Sequence, residues 1–268
     1  MASKRLASVR GSFYPDKCNK LKIYFQKFTE NLGTTLQDNH LYQNIPQAII
    51  VPHAGYVYSG FTANIAYNIL SHSNAKRIIV IGPSHHHYFK GISGSYYEEF
   101  ETPCGDIVID TDYLITLAKK HPISFEPKAH QQEHSTEVQM PFIQHYLPQA
   151  KVIELIYGDT SPLLLEKILL TLLSNKDNAI IISTDLSHFH TQHKAKQLDK
   201  YCLDAIKRVD IDQLKECEAC GLLGVKTILN TAKQLGLRSK LLDYRTSADY
   251  SGDETQVVGY MSALFYSE

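Results

Sequence analysis

The chain has no tryptophan, only 14 glycines and 10 prolines in 268 residues, and a formal net charge of −1. Each shortage excludes a class of answer. Low glycine and proline, beside 43% hydrophobic and 21% charged residues, rules out collagen-like and disordered chains and leaves a globular protein able to bury a core. Lysines and arginines are scattered rather than striped, so the basic footprint of a nucleic-acid binder is missing and nucleic acid is not expected as a partner. No run approaches the ~20 apolar residues of a membrane span, and the opening MASKRLASVRGSFYP has no signal-peptide core. A cytoplasmic protein without membrane association is expected. No glycine-rich nucleotide motif occurs, so NAD, FAD and ATP are not expected as cofactors. No linker, repeat or low-complexity segment divides the chain, which reads as one domain, residues 1–268.

Cysteine is also sparse. Five residues (Cys18, Cys104, Cys202, Cys217, Cys220), odd in number and widely spaced, fit free thiols in a reducing compartment better than a disulfide framework. Cys217-x-x-Cys220 lacks the second CxxC or histidine pair of a zinc ribbon, and Glu216 and Glu218 give it a helical rather than redox-loop context.

What is abundant is histidine and tyrosine, 13 and 17 residues. Apolar runs rich in Ile and Val recur at residues 48–51, 77–81, 151–156, 179–182 and 257–260, without the alternation of a half-exposed strand. Such runs read as parallel strands covered on both faces. Helical spacing lies between them at 17–32, 61–70, 163–173 (opened by Ser161-Pro162), 194–209, 212–218 and 222–235 (closed by Gly236). The pattern predicts a layered α/β/α domain with a central, largely parallel sheet. Residues 92–97 and 241–246 could add antiparallel strands.

The residues following the runs carry the functional signal. The first run ends in Pro52-His53-Ala54-Gly55-Tyr56, the second in Gly82-Pro83-Ser84-His85-His86-His87, and the fourth in Ser183-Thr184-Asp185-Leu186-Ser187-His188. Ligands of open α/β sheets bind outside the carboxyl ends of the strands, where residues distant in sequence converge. His53 and His85 are therefore the natural first two ligands of a metal that takes imidazole and leaves positions open for substrate. Any one of these histidines alone could be a loop residue satisfying a carbonyl; three in equivalent positions favour a clustered site. Asp185 and His188 could be an acid/base pair in which the carboxylate orients the imidazole, or additional ligands. His86, His87, His190 and His193 read as solvated surface. The cluster from His130 to Glu137 reads as a helix start with Thr136 and Gln139 as a capping box, or else makes His134 and Glu137 a supporting or substrate-facing pair.

Read in order, VRGSFYP from Val9, PHAGYVYSG from Pro52, GPSHHHYF from Gly82, ETPCGD from Glu101, EHSTEVQMPF from Glu133, STDLSHF from Ser183, ACG from Ala219 and YSGDETQVVGY from Tyr250 closely resemble the Memo family, called AmmeMemoRadiSam system protein B in prokaryotes. The resemblance spans nearly the whole chain. It implies a fold shared with class III extradiol ring-cleavage dioxygenases, and a metal held by His53, His85 and Cys220 with Asp185 and His188 beside it. Where the dioxygenases use a glutamate, a thiolate is softer and favours copper or redox-active iron over ring cleavage. Two departures stand out: Cys104, an extra thiol or a small buried hydrophobe in place of an apolar residue, and Leu222-Leu223-Gly224 in place of a more polar stretch.

The leading expectation is a metal-binding protein whose buried two-His-plus-Cys site holds Fe(II) or copper, zinc being an alternative, with redox or oxygenase-like chemistry in which His188 and Asp185 move protons. His134, Glu137 and Tyr56 would support the site. One alternative is a non-catalytic protein whose pocket, rich in Tyr14, Tyr56, Tyr58, Tyr88 and Phe89, holds a peptide or small ligand. Another is a metal-dependent hydrolase. The prokaryotic family name implies a pathway link to a radical SAM protein and an AMMECR-type protein.

Overall fold

The Ile/Val runs lack alternation because both faces of the strands they form are covered. A computed structural model describes residues 3–35, 42–95 and 97–267. The first part runs β1 (Lys4–Arg5), α1 (Cys18–Glu30), α2 (Leu32–Thr35), β2 (Pro46–Val51), α3 (Tyr56–Leu70), β3 (Arg77–Pro83) and β4 (Ile92–Gly94). Next come β5 (Glu99–Thr102), β6 (Gly105–Val108), α4 (Thr111–Ala118), β7 (Ile123–Ser124), α5 (Pro127–Gln131), α6 (His134–Glu137) and α7 (Met140–Tyr146). The rest is β8 (Lys151–Tyr157), α8 (Pro162–Leu173), β9 (Asn178–Ser183), β10 (His188–His190), α9 (Gln192–Arg208), a 3-10 turn at Ile211–Glu216, α10 (Leu222–Leu235), β11 (Arg238–Thr246), α11 (Ala248–Ser251) and β12 (Val257–Tyr266).

Strands β2, β9, β3 and β8 lie side by side and parallel, with Ile50 opposite Ile182 and Ile81 opposite both Ile182 and Leu155. Around this block the pairs are antiparallel except at one edge: β4 runs against β8, β12 against β2, and β10 and β11 against β12, while β7 lies parallel to β4. Residues 241–246 thus join the border strand β11, and the segment 92–97 yields only the short β4; Tyr96 lies outside the described residues. One face of the sheet packs on α4, α8, α9 and α10 through Leu165, Leu172, Ile206 and Ile228; the other packs on α1, α3 and α7 through Phe25, Ile65, Tyr67 and Phe142. The layered α/β expectation holds. Helix α3 starts five residues earlier than its spacing suggests, because Tyr56 N–H is fixed on Phe13 O at 2.7 Å and its ring is buried.

The cysteine expectation is corrected. Cys18 bridges to Cys104 and Cys202 to Cys217, leaving only Cys220 free. The partners are 86 and 15 residues apart in sequence, yet folding brings their Cα atoms to 4.6 and 5.0 Å, within disulfide reach. Cys104 is therefore neither an extra thiol at the site nor an isolated hydrophobe, and Cys217 is no redox partner of Cys220. Among the described residues no helix is long and apolar enough to cross a membrane.

One buried polar network braces the segment that carries the site. Glu154 interrupts the apolar β8 with a fully buried charge, which requires partners. Arg5 Nη1 donates to its Oε1 at 2.8 Å, His130 Nδ1 lies 2.9 Å from its Oε2, and Thr136 Oγ1 donates to it as well. Burial pushes the Glu154 carboxyl up, but the charges of Arg5 and His130 outweigh this and hold it at about 2. Arg5 also donates to the carbonyls of His130 and Glu133, so the N-terminal strand fixes the chain from α5 to α6. Thr136 and Gln139 do not form the expected capping box: Thr136 is engaged by Glu154, and the cap of α6 is Glu133, whose side chain accepts from Ser135 N–H.

Candidate metal centre

Because β9 lies between β2 and β3, the loops leaving their carboxyl ends deliver Asp185, His53 and His85 to one place. His53 is buried, and its Nδ1 is 2.9 Å from Ser183 Oγ. The single proton of Ser183 goes to Ser135 O at 2.6 Å, and Gln139 Nε2 donates to the same hydroxyl at 2.9 Å. Ser183 can therefore only accept from His53, so the imidazole carries its proton on Nδ1 and bares the Nε2 lone pair. His85 is set the same way by a carboxylate: its Nδ1 donates to Glu133 Oε1 at 2.8 Å, and its backbone N–H donates to Oε2. Burial raises the Glu133 carboxyl, yet the hydrogen bonds and charge of His85 and the N–H of Ser135 hold it at about 2. Both imidazoles thus present Nε2, each with its other nitrogen anchored, as metal-bound histidines require.

Cys220 completes the set from the opposite side. Its Sγ is 3.2 Å from His53 Nε2 and accepts from Asp185 N–H at 3.2 Å. Its loop is pinned to β9's exit by Gly221 N–H on Thr184 Oγ1 at 2.8 Å; a Cβ on Gly221 would stand 2.6 Å from Thr184 Cβ, so only glycine permits this approach. One ligand atom each from His53, His85 and Cys220 lies within 4.8 Å of the others, close enough to share one ion; the cluster is not buried throughout as expected, since His53 is buried but Cys220 is only partly so and His85, on the loop leaving β3, is exposed. Burial, the Asp185 charge adding to it, pushes the thiol up to about 12, and burial with the repulsion of His85 pushes His53 down to about 3. Without metal the cluster is a neutral thiol facing a neutral imidazole; a cation would supply the charge that draws off the thiol proton.

His134 also faces this space, its ring 4.5 Å from that of His85 and 5.4 Å from that of His53, with Phe13 against it at 5.0 Å. Burial and the two neighbouring imidazoles bring it down to about 4. His85, Glu133 and His134 form a second group with ligand spacing. Since Glu133 is already bonded to His85 Nδ1, this group braces the first rather than standing apart from it.

The other expected residues are placed as follows. The Asp185 carboxylate accepts from His53 N–H at 2.8 Å, with Ala54 N–H also bearing on it, instead of pairing with His188 by a hydrogen bond. Burial raises its pKa, opposed first by the hydrogen bond from the His53 N–H. Glu137 turns away from the cluster: its buried carboxylate accepts from Ser8 N–H and Oγ, Val9 N–H and Tyr14 OH, anchoring the N-terminal segment. Tyr56 donates to Val138 O and packs on Tyr14 and Phe142 in the core. His190 lies on Glu218 and His193 on Gln197, as the solvated reading expects. Sequence reasoning missed Ser183, Glu133 and Gln139 as the groups that set the imidazoles; the one visible sign was a cluster of polar residues ahead of an apolar helix.

The chain is 32% identical over 280 residues to a MEMO1 family protein of Sulfolobus acidocaldarius (97% of this chain, 99% of that one) and 33% identical over 279 residues to one of Methanobrevibacter smithii (97% and 99%). Among solved structures, that of the uncharacterized protein JW3007 from Escherichia coli K12 covers 81% of this chain and 98% of its own, at 12% identity and a TM-score of 0.49. The family model described as Memo-like protein matches residues 5–264, and the chain belongs to that family.

Proposed function

We propose that this protein binds one redox-active metal ion, Fe(II) or copper, through His53 Nε2, His85 Nε2 and Cys220 Sγ, and uses it in oxidoreductase chemistry on a small molecule. The observation that carries the reading is the donor set: two imidazoles locked to present Nε2, and the single unbridged thiol of the chain, converge on one point. Two nitrogens and a sulfur suit iron and copper better than magnesium or calcium, which prefer oxygen. When bound, such an ion would supply one-electron redox chemistry. The chain's own residues do the rest. Ser183 and Glu133 hold the imidazoles in place, and the Asp185 backbone N–H steadies the thiolate. His188, half-buried at the start of β10, takes a proton from substrate, and neutral His134 offers a second hydrogen-bonding group.

The test is metal content of untagged protein purified without oxygen. Close to one iron or copper per chain is expected, falling to background in His53→Ala and Cys220→Ser. Protein that contains neither metal, or a His53→Ala variant with unchanged affinity for added metal, refutes the reading. Zinc-dependent ester or amide hydrolysis without oxygen uptake would point to a hydrolase instead.

A further inference from the structure

Tyr157, the last residue of β8, lies opposite Pro83 in the sheet, and its carbonyl takes the N–H of Ser84, next to His85. Its side chain is buried, yet its hydroxyl has no hydrogen-bond partner. Three other buried tyrosines do have one: Tyr14 donates to Glu137, Tyr56 to Val138 O and Tyr67 to Gln139, all within 2.9 Å. Of the six buried side-chain atoms without a partner among the described residues, the Tyr157 hydroxyl is the one phenol, and an orphaned buried hydroxyl marks a place where a partner is missing.

The phenol lies against the start of α10. This helix of 14 residues begins at Gly221, which has no side chain to cap it, and carries no acidic residue in its first turn. First-turn amides lack partners within the helix and give its start a partial positive charge. Gly224, at the third helical position, lies beside the ring: a Cβ there would be in ordinary contact with the Tyr157 oxygen at 3.4 Å, and too close, at 2.9 Å, to Ile182 Cγ2. Burial, and after it the charge of Cys220, push the phenol well above the ordinary tyrosine range; the Gly224 N–H opposes them without a well-formed hydrogen bond, so the hydroxyl keeps its proton and stays a donor. Gly221, whose N–H is held by Thr184 Oγ1, follows Cys220 directly in the chain, which puts this turn next to the metal cluster. The Leu222-Leu223-Gly224 stretch brings no charged side chain of its own to a ligand here.

We infer that the Tyr157 hydroxyl and the first turn of α10 form a subsite, beside Cys220, for the carboxylate of a small ligand. A carboxylate matches both halves: one oxygen accepts from the phenol O–H and the other faces the amides, as anions do at helix N-termini. The inference rests on the proposed metal site, whose ion would hold the rest of such a ligand.

The experiment is calorimetric titration of the full chain, metal-free and Fe(II)-loaded without oxygen, with benzoate and with neutral benzyl alcohol. Iron affinity is measured in parallel, and circular dichroism verifies that each variant is folded. Benzoate is expected to bind more tightly than benzyl alcohol. Tyr157→Phe, which keeps the ring, is expected to weaken benzoate about tenfold or more, as for loss of a hydrogen bond to a charged group, and to leave benzyl alcohol and iron affinity unchanged. Equal benzoate affinity in wild type and Tyr157→Phe, equal affinity for the two ligands, or no benzoate binding to either form of the wild type overturns the subsite. Failure of iron binding with the benzoate difference intact would sink the metal reading and leave the subsite standing.

Discussion

Replacing Glu133 by glutamine tests whether the carboxylate serves the metal cluster or only the fold. The native carboxylate accepts three N–H groups: His85 Nδ1 at 2.8 Å, His85 backbone N–H, and Ser135 N–H at 2.9 Å. Its pKa of about 2, against an ordinary 4.5, amounts to about 3 kcal/mol of preference for the ionised form in the folded state. Because the folded pKa is the lower one, that stabilisation is present above pH 4.5 and is lost as pH falls towards 2. Glutamine keeps the shape but offers one acceptor oxygen. Its amide nitrogen must stand either at Oε2, facing the His85 backbone N–H, or at Oε1, facing both His85 Nδ1–H and Ser135 N–H, so at least one donor is left unmet at a cost of about 2 kcal/mol. For a chain of this size the melting temperature should fall by roughly 4–8 °C at pH 7. A freed His85 can rotate or take its proton on Nε2, so metal affinity should fall about 10–100-fold, as for other groups that orient metal-bound histidine. Thermal melts by circular dichroism and chelator competition measure the two effects separately. A variant that melts lower yet binds metal within about twofold of wild type would refute the argument that Glu133 orients a ligand.

Other outcomes follow from the same geometry. Cys220→Ser should reduce copper(I) affinity far more than zinc affinity, because it replaces a soft donor by a hard one; equal losses in chelator competition would remove sulfur from the ligand set. His53 at about 3 and His134 at about 4 both lie below their ordinary 6.5, so the unfolded chain protonates first; metal-free protein should lose stability as pH falls from 6.5 towards 4, by up to about 2.7 kcal/mol per pH unit for two protons. Urea unfolding at pH 7, 6 and 5 reads this slope, and His134→Phe should reduce it by about half. Arg5→Met strands the buried Glu154 and should cost about 3–5 kcal/mol, seen as a lower urea midpoint; an unchanged midpoint would mean the network is not needed to hold β1. Alkylation of unfolded, unreduced protein should label Cys220 alone by mass spectrometry. Opening the 86-residue loop with Cys18→Ser should destabilise by about 4 kcal/mol, more than the roughly 3 kcal/mol for the 15-residue loop closed by Cys202.

The layers, and the gathering of His53, His85 and Asp185 at one end of the sheet, were legible from the residue pattern. Doubly covered strands need continuous Ile and Val, a signal within a few residues, and loops at strand ends converge by the geometry of a parallel sheet, so His53, His85 and Asp185 could be read as neighbours from position alone. Helix α10 was legible to the residue because its C-cap Gly236 adopts the left-handed φ of 67° that its chemistry allows. Cys220 was not legible from spacing: it reaches His53 across 167 positions, from a loop rather than a strand end, and only the family resemblance pointed to it. Tertiary structure alone decided the two disulfides, the diversion of Glu137 to the N-terminal segment, the bonding of Asp185 to the His53 backbone, and the hydrogen bonds that bare each Nε2. Each of these is a contact between residues that no local pattern links. A side chain's protonation and partner depend on which distant groups desolvate it and donate to it, and those groups are set only when the chain has closed on itself.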